Sequence, residues 1–179
     1  ARPETPEHDL LDMFVFASRL YLVSLEAWRM LARRLMSRAR LKEKLLAKEY
    51  DESAVSLVLD ILVLRGFLND RQLAEDMARA RLNRKPVGPM DIRHHLRQQL
   101  FEKQDIEHIV DVLFQEFDQE ALAFEALKKK YGSKSLQNNP GQQKKFFLFL
   151  SNRGFGAGAG SRAIRCFWDW YNRENTQNT

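Results

Sequence analysis

The chain has 179 residues, of which 44% are hydrophobic and 30% charged, and this balance excludes wholesale disorder. Its 29 basic and 24 acidic residues give a net charge of +5, which argues only weakly for a polyanionic partner. The single cysteine, Cys166, excludes a disulfide framework within the chain, and no cysteine–histidine cluster has zinc spacing. The longest apolar stretch, residues 10–25, is interrupted by Asp12 and Arg19 and is too short to span a bilayer. We therefore expect a cytoplasmic protein without a signal peptide.

The charges alternate in sign along the chain. Successive blocks carry net charges of +7 in residues 19–48, −5 in 49–78, +5 in 79–103, −7 in 104–127 and +9 in 128–173. One interpretation is that helices of opposite sign pair with each other. The other is that each structural unit contributes one basic helix to a common face that meets phosphate. The two interpretations are compatible.

An apolar pattern occurs three times, at shifts of 51 and 105 residues. The same aromatic position is filled by Tyr50, Phe101 and Phe155, which we interpret as packing anchors between helices. The other matching positions are Leu41, Leu45, Val55, Val58, Leu59 and Leu62 in the first copy, Ile92, Leu96, Ile106, Ile109, Val110 and Leu113 in the second, and Phe146, Leu150, Ile164 and Phe167 in the third. Their i, i+3, i+4, i+7 spacing predicts helices.

The first two copies continue into a third helix, which Asn69 or Asp70 would cap in the first copy and which runs from Asp118 to Lys130 in the second. The prediction is an all-α fold of tandem three-helix repeats, two complete and one truncated, that form an elongated, curved molecule. Its predicted parts are an N-terminal segment with a leading helix (1–36), repeat 1 (37–86), repeat 2 (87–136) and repeat 3 (137–179). Residues 13–23 allow strand or buried helix, and we favour helix.

Four motifs, which follow one another in the same order as in the RecX family, resemble those of this family, the regulators of the RecA recombinase. They are Gly66-Phe67-Leu68-Asn69-Asp70 with Arg71 and Ala74, Leu31–Arg34 with Ser37–Leu45, the set Arg81, Gly88, Ile92 and Leu96, and Phe149–Phe155 with its Arg153-Gly154-Phe155 ending. The resemblance covers roughly residues 25–170. The chain departs from it at Glu49 and Leu100, where the family usually has glycine, and in the run Gly156–Gly160, which would be a mobile joint or a loop.

The resemblance implies tandem three-helix repeats and a negative regulator of RecA without enzymatic activity or cofactor. Such proteins bind the groove of the RecA filament on single-stranded DNA and suppress filament growth, ATP hydrolysis, strand exchange and repressor cleavage. The expected partners are the RecA filament and single- or double-stranded DNA, met by basic faces of a monomer, with no membrane. Two alternatives remain open. One is a helix-turn-helix-like transcription regulator, and the other is an enzyme of nucleic-acid metabolism, which the lack of a catalytic constellation disfavours.

The residues proposed to contact RecA or DNA are Arg33, Arg34, Arg38, Arg40, Lys42, Lys44, Arg79, Arg81, Arg84, Lys85, Arg93, Arg97, Lys144, Lys145 and Arg153. For any one of them, a solvated helix face is an equally good interpretation. The residues assigned to architecture, with Phe67 and Leu68 expected to be buried, are Gly66, Phe67, Leu68, Asn69, Asp70, Gly88, Gly154 and Phe155. The cluster Phe167–Tyr171 is interpreted as a core-closing helix, and Cys166 as a buried thiol. His94 and His95 point about 100° apart on a helix, so they would not share a metal ion.

Overall fold

The computed structural model describes residues 6–177, and it describes side chains from residue 10 to residue 174. Every regular element in this part of the chain is an α-helix, which confirms the all-α prediction. The helices are α1 (Pro6–Arg33), α2 (Arg38–Leu46), α3 (Glu52–Leu64), α4 (Asp70–Arg84), α5 (Pro89–Gln98), α6 (Lys103–Glu116), α7 (Gln119–Tyr131), α8 (Pro140–Asn152) and α9 (Ala157–Gln177). The segment 13–23 lies within α1 and is helical, as we favoured. None of the described helices has the length and apolar character needed to cross a membrane.

The three connections α2–α3, α5–α6 and α8–α9 share one backbone conformation. Glu49, Leu100 and Gly154 occupy equivalent places in them, and all three have positive φ, at 64°, 61° and 80°. In each connection this residue directly precedes the aromatic residue that the three copies share, which is Tyr50, Phe101 or Phe155. A left-handed residue after a helix reverses the chain and is cheapest when it is glycine. The internal similarity is thus accompanied by a shared turn, even where the chain lacks glycine.

The described chain divides into two compact units, each with its own core. Unit 1 consists of the described residues up to Leu73 together with Gln99–Phe101, and its core joins α1, α2 and α3. The buried side chains of α2 and α3 in this core are Leu41, Leu45, Ala54, Val55, Val58, Leu59 and Leu62. On α1, the buried residues Val23, Ala27 and Leu31 follow at i+4 intervals and supply the matching stripe.

Unit 2 consists of residues 74–98 and the described residues from 102 onward. One of its cores joins α7, α8 and α9 around aromatic rings. Phe146 and Phe167 are fully buried and meet edge to face with ring centroids 5.1 Å apart, and Trp168 stacks on Phe146 at 5.5 Å. The interpretation of Phe167–Tyr171 as a core-closing helix agrees with this packing.

These cores join the helices α1–α3 and α7–α9, whereas the predicted repeats begin at α2, α5 and α8. The predicted boundaries at residues 37, 87 and 137 stay a prediction, because sequence similarity and shared packing need not start at the same helix. The run Gly156–Gly160 was expected to be a joint or loop, and this expectation is wrong: α9 begins at Ala157, and Gly160 N–H donates to Gly156 O at 2.9 Å. Gly160 is buried near Leu150, so a small residue suits the packing of α9 against α8.

The structure of the α3–α4 connection shows which residue caps α4. The Asn69 side-chain oxygen accepts from Gln72 N–H at 3.1 Å, so Asn69 is the cap. The Asp70 carboxylate instead accepts from Arg38 N–H, at 2.8 and 3.1 Å, at the start of α2. Leu68 is buried, but Phe67 is 53% exposed and packs edge to face on Trp28, so the expectation that both residues are buried is wrong for Phe67.

Candidate nucleic-acid and protein interface

Most basic side chains predicted on α2 are paired with acidic ones. Lys42 Nζ lies 2.8 Å from Glu52, and Arg38 lies 2.5 Å from Asp60. Both acidic residues belong to α3. Arg40 pairs with Glu43 within α2 at 2.9 Å. The basic block and the acidic block that follows it are therefore partly paired across α2 and α3, as the first interpretation of the charge pattern proposed.

The α5–α6 pair repeats this arrangement in unit 2. Arg93 lies 2.6 Å from Glu107 and 3.8 Å from Asp111, and Arg97 lies 3.3 Å from Glu107. The hydrogen bond from Arg93 lowers the pKa of the Glu107 carboxyl most. Burial opposes this shift in pKa, and the charges of Arg93 and Arg97 add to the lowering. Arg93 and Arg97 are thus held by the neighbouring helix of the same unit.

Three further candidates have structural partners. Arg79 binds Glu116 through two nitrogens at 2.8 and 3.0 Å and also contacts Glu75. Arg81 binds Asp91 through two nitrogens at 2.5 and 3.0 Å, with both side chains largely buried. Arg153 donates to the carbonyl oxygen of Pro86 at 3.1 Å. Two-point binding of a carboxylate by a guanidinium is specific and strong, so these arginines stabilise the fold.

The Arg81–Asp91 pair also sets the ionisation of two neighbouring groups. Burial tends to raise the pKa of Asp91, but the hydrogen bond and charge of Arg81, with Lys85 and His95, hold this pKa below its ordinary value. Burial and the charge of Arg81 lower the pKa of His95, and Asp91 opposes this only in part. His95 is thus biased toward its neutral form and adds little positive charge to the surface at neutral pH.

Seven candidates have no ion pair with any described residue: Arg33, Arg34, Lys44, Arg84, Lys85, Lys144 and Lys145. In unit 1, Arg33, Arg34 and Lys44 are exposed. An exposed cation without an acidic neighbour keeps its full attraction for an incoming anion. These seven residues are therefore better candidates for contact than the paired ones.

In unit 2, Arg84 and Lys85 open onto a groove between the end of α4 and the end of α7. The groove has a volume of about 470 Å³, and Lys128 and Lys129 of α7 line it opposite them. Glu125 is the one acidic residue in its lining, so four cations face one anion. We call this the basic groove. Lys128 and Lys129 were not among the predicted contacts.

A second cavity, of about 710 Å³, lies between α8 and α9 in unit 2. Lys144, Arg165 and Asp169 line it together with Phe147 and Trp168. Trp168 is 6% exposed, and its indole Nε1 has no hydrogen-bond partner in the described part of the chain. Arg165 was also not predicted as a contact. Cations beside exposed aromatic surface suit nucleotides or acidic peptides equally well.

Among the described side chains, neither the histidines nor the cysteine forms a reactive site. His94 hydrogen-bonds Gln98 at 2.9 Å, and no group of three or more potential metal ligands occurs among the described residues. Cys166 is exposed, so the expectation of a buried thiol is wrong. Its sulfur lies 3.4 Å from Glu120, and the hydrogen bond to this carboxylate raises the pKa of the thiol. A raised pKa keeps the thiol protonated and unreactive at neutral pH.

The geometry defines a class of protein built from short-helix modules that share one left-handed turn and carry clusters of unpaired cations. A family model described as "RecX, first three-helix domain" matches residues 26–62, from the end of α1 to α3. Regulatory protein RecX of Pelodictyon phaeoclathratiforme is 35% identical over 129 residues, which cover 72% of this chain and 78% of that protein. Regulatory protein RecX of Chromohalobacter salexigens is 31% identical over 80% of this chain and 91% of its own length.

The fold is also similar to that of a solved structure. The crystal structure of RecX from Lactobacillus salivarius superimposes with a TM-score of 0.72 at 22% identity, over 84% of this chain and 97% of that one. The chain belongs to the RecX family of regulatory proteins.

Proposed function

We propose that this protein is a negative regulator of the RecA recombinase. It binds the groove of the RecA filament on single-stranded DNA and suppresses filament growth, ATP hydrolysis and strand exchange, and so acts in DNA recombination, DNA repair and control of the SOS response. Membership of the RecX family supports the regulatory role. The unpaired cations support a contact with phosphate or with acidic protein surface.

The observation that carries this proposal furthest is the basic groove. Arg84, Lys85, Lys128 and Lys129 line a concave surface of about 470 Å³ together with a single acidic residue, Glu125. If these residues meet phosphates, binding falls with a log–log salt slope of about −0.7 for each phosphate on a single strand. If they meet acidic protein surface, the salt dependence is shallower and follows screening.

The deciding experiment adds purified protein, at substoichiometric amounts, to RecA that is hydrolysing ATP on single-stranded DNA. We expect inhibition at low and moderate salt. The double variant Arg84→Gln/Lys129→Gln should inhibit several-fold less, because two of the groove's unpaired charges are gone. The variant Arg65→Gln/Lys103→Gln removes the same charge outside all predicted contacts and should inhibit like the parent protein.

Two results would overturn parts of the proposal. Absence of inhibition by the parent protein at any salt concentration would remove the regulatory role toward RecA. Equal inhibition by the groove variant and its control would remove the groove as the contact. Sequence-specific binding to duplex DNA without RecA, in a mobility-shift assay, would favour a transcription regulator instead.

A further inference from the structure

The first half of α1 carries an apolar surface that no described residue covers. Between residues 10 and 22, eight large apolar side chains are from 39% to 70% exposed: Leu10, Leu11, Met13, Phe14, Val15, Phe16, Tyr21 and Leu22. In the second half of the same helix, Val23, Ala27 and Leu31 are buried in the core of unit 1. A contiguous exposed surface of this kind on a protein marks an interaction site.

The exposed half of α1 continues the packing stripe of the buried half. Leu20, Val23, Ala27 and Met30 belong to the unit 1 core or pack against it, at alternating intervals of three and four residues. The same alternation leads back to Phe16 and then to Met13. Apolar residues at this spacing form the seam onto which a second helix packs in a coiled coil. In unit 1, α2 and α3 cover the later part of the seam. No described residue covers its earlier part, at Met13 and Phe16.

The charges on this segment are complementary to themselves. Asp12 and Arg19 are its only charged residues, and they stand seven positions apart on the same side of the seam. Neither forms an ion pair with a described residue. Arg19 does approach Asp51: the Ser53 hydroxyl and Ala54 N–H lower the pKa of that carboxyl most, and the charge of Arg19 lowers it further. The approach stops short of an ion pair, so Arg19 retains attraction for another carboxylate.

We propose that the partner of this segment is the same segment of a second copy, packed antiparallel. In this arrangement, residues that flank the seam on the side of Asp12 and Arg19 face each other when their numbers add to 31. Asp12 then faces the partner's Arg19, and symmetry supplies the second ion pair. The same register sets Met13 against the partner's Phe16 within the seam, and symmetry repeats this apolar contact. This inference does not depend on the proposed function.

The size of the surface predicts a reversible dimer. Thirteen helical residues extend about 20 Å, and one face of such a helix buries roughly 400 Å² per copy, about half of what standard stable complexes bury on each partner. We therefore expect a dimer that forms with rising concentration in the micromolar range. The monomer that the sequence alone suggested would then be the dilute form.

The test uses the full chain in sedimentation velocity over a range of concentrations. Asp12→Arg and Arg19→Asp each place like charges opposite each other and should weaken dimerisation about tenfold or more. The double variant Asp12→Arg/Arg19→Asp exchanges the two charges and should recover the parent affinity. An equimolar mixture of the two single variants should form mixed dimers, because every charge in that pair again faces its opposite.

Arg65→Asp, a charge reversal on the exposed residue after α3, serves as the control and should dimerise like the parent. Circular dichroism of each variant checks that the helices are retained. Three results would overturn the proposal: a chain that stays monomeric at all concentrations, single variants that dimerise like the parent, or a double variant that does not recover. Sedimentation of a monomeric chain with phosphatidylcholine vesicles would assign the surface to lipid instead.

Discussion

Gly88 and Gly154 lie in backbone contact, because a Cβ atom on Gly88 would come within 2.3 Å of the carbonyl oxygen of Gly154. The contact is held by hydrogen bonds from Gly88 N–H to Arg153 O at 2.8 Å and from Met90 N–H to Gly154 O at 3.1 Å. The start of α5 is thereby fixed to the turn between α8 and α9. Both glycines were assigned to architecture from the sequence, and the contact gives the physical reason.

We expect Gly154→Ala to lower the free energy of unfolding of unit 2 by more than about 2 kcal/mol. The added Cβ would lie 2.2 Å from Asp91 N, and the residue has a φ of 80° that alanine adopts poorly. Gly158→Ala is the control, since its nearest neighbour is the Arg162 guanidinium at 3.5 Å and alanine favours a helix. Urea denaturation followed by circular dichroism measures both, and equal stability of the two variants would contradict the contact.

Glu49→Gly should raise the stability of unit 1. Glu49 is exposed and has a φ of 64°, a conformation that costs an L-residue roughly 1–2 kcal/mol. Glycine relieves this strain but gains freedom in the unfolded chain, so we expect a net gain of about 0.5–1 kcal/mol. Ala47→Gly, at a residue with φ of −64°, should destabilise instead. Thermal and urea unfolding measure the pair, and a loss of stability in Glu49→Gly would refute strain at this turn.

The Arg81–Asp91 pair predicts acid sensitivity in unit 2. Because the folded protein holds the pKa of Asp91 below its unfolded value, the ionised carboxylate stabilises the fold above roughly pH 4. That contribution is lost as the pH falls through the folded pKa. Asp91→Asn should therefore be less stable than the parent at neutral pH and should lose less stability on acidification. Unfolding curves between neutral and strongly acidic pH test this, and parallel pH profiles of the two proteins would contradict it.

The paired cations Arg38 and Lys42 of α2 should contribute to stability and little to binding of a partner. Arg38→Ala/Lys42→Ala removes two exposed ion pairs with Asp60 and Glu52, at a cost of less than about 1 kcal/mol each. We expect the salt dependence of binding to single-stranded DNA to keep its slope in this variant. The comparison is Lys144→Ala/Lys145→Ala, whose cations are unpaired and whose loss should make the slope shallower. A shallower salt dependence in the α2 variant would show that Arg38 and Lys42 contact DNA, and would contradict this prediction.

The repeat was predictable because apolar spacing and one aromatic position survive in every copy. Tyr50, Phe101 and Phe155 all pack inward, and even the unusual Glu49 and Leu100 adopt the turn that glycine adopts at position 154. The start of the packing modules was not predictable, because a periodic pattern looks the same whichever helix begins it. Only the burial of Val23 and Ala27 on α1 reveals which helices close the first core.

The candidate interface was harder to predict, because a sequence gives the sign of a charge but not its neighbour. Arg93 and Lys144 are both cations on helices, yet Arg93 faces Glu107 and Lys144 faces no acidic partner within 4 Å. Lys128 and Lys129 were missed since their groove exists only when α4 and α7 come together. The capping residue was likewise open until the side chains of Asn69 and Asp70 were placed.

Ser37 is 1% exposed, and its hydroxyl donates a hydrogen bond to the carbonyl oxygen of Gln99 at 2.6 Å. Unit 1 therefore takes part of its packing from a residue 62 positions further along the chain. During synthesis, the residues of the first three helices are joined to the chain before this acceptor is made. A chain that ends before Gln99 lacks the acceptor of the Ser37 hydroxyl. Such a fragment should therefore fold less tightly than one that includes Phe101.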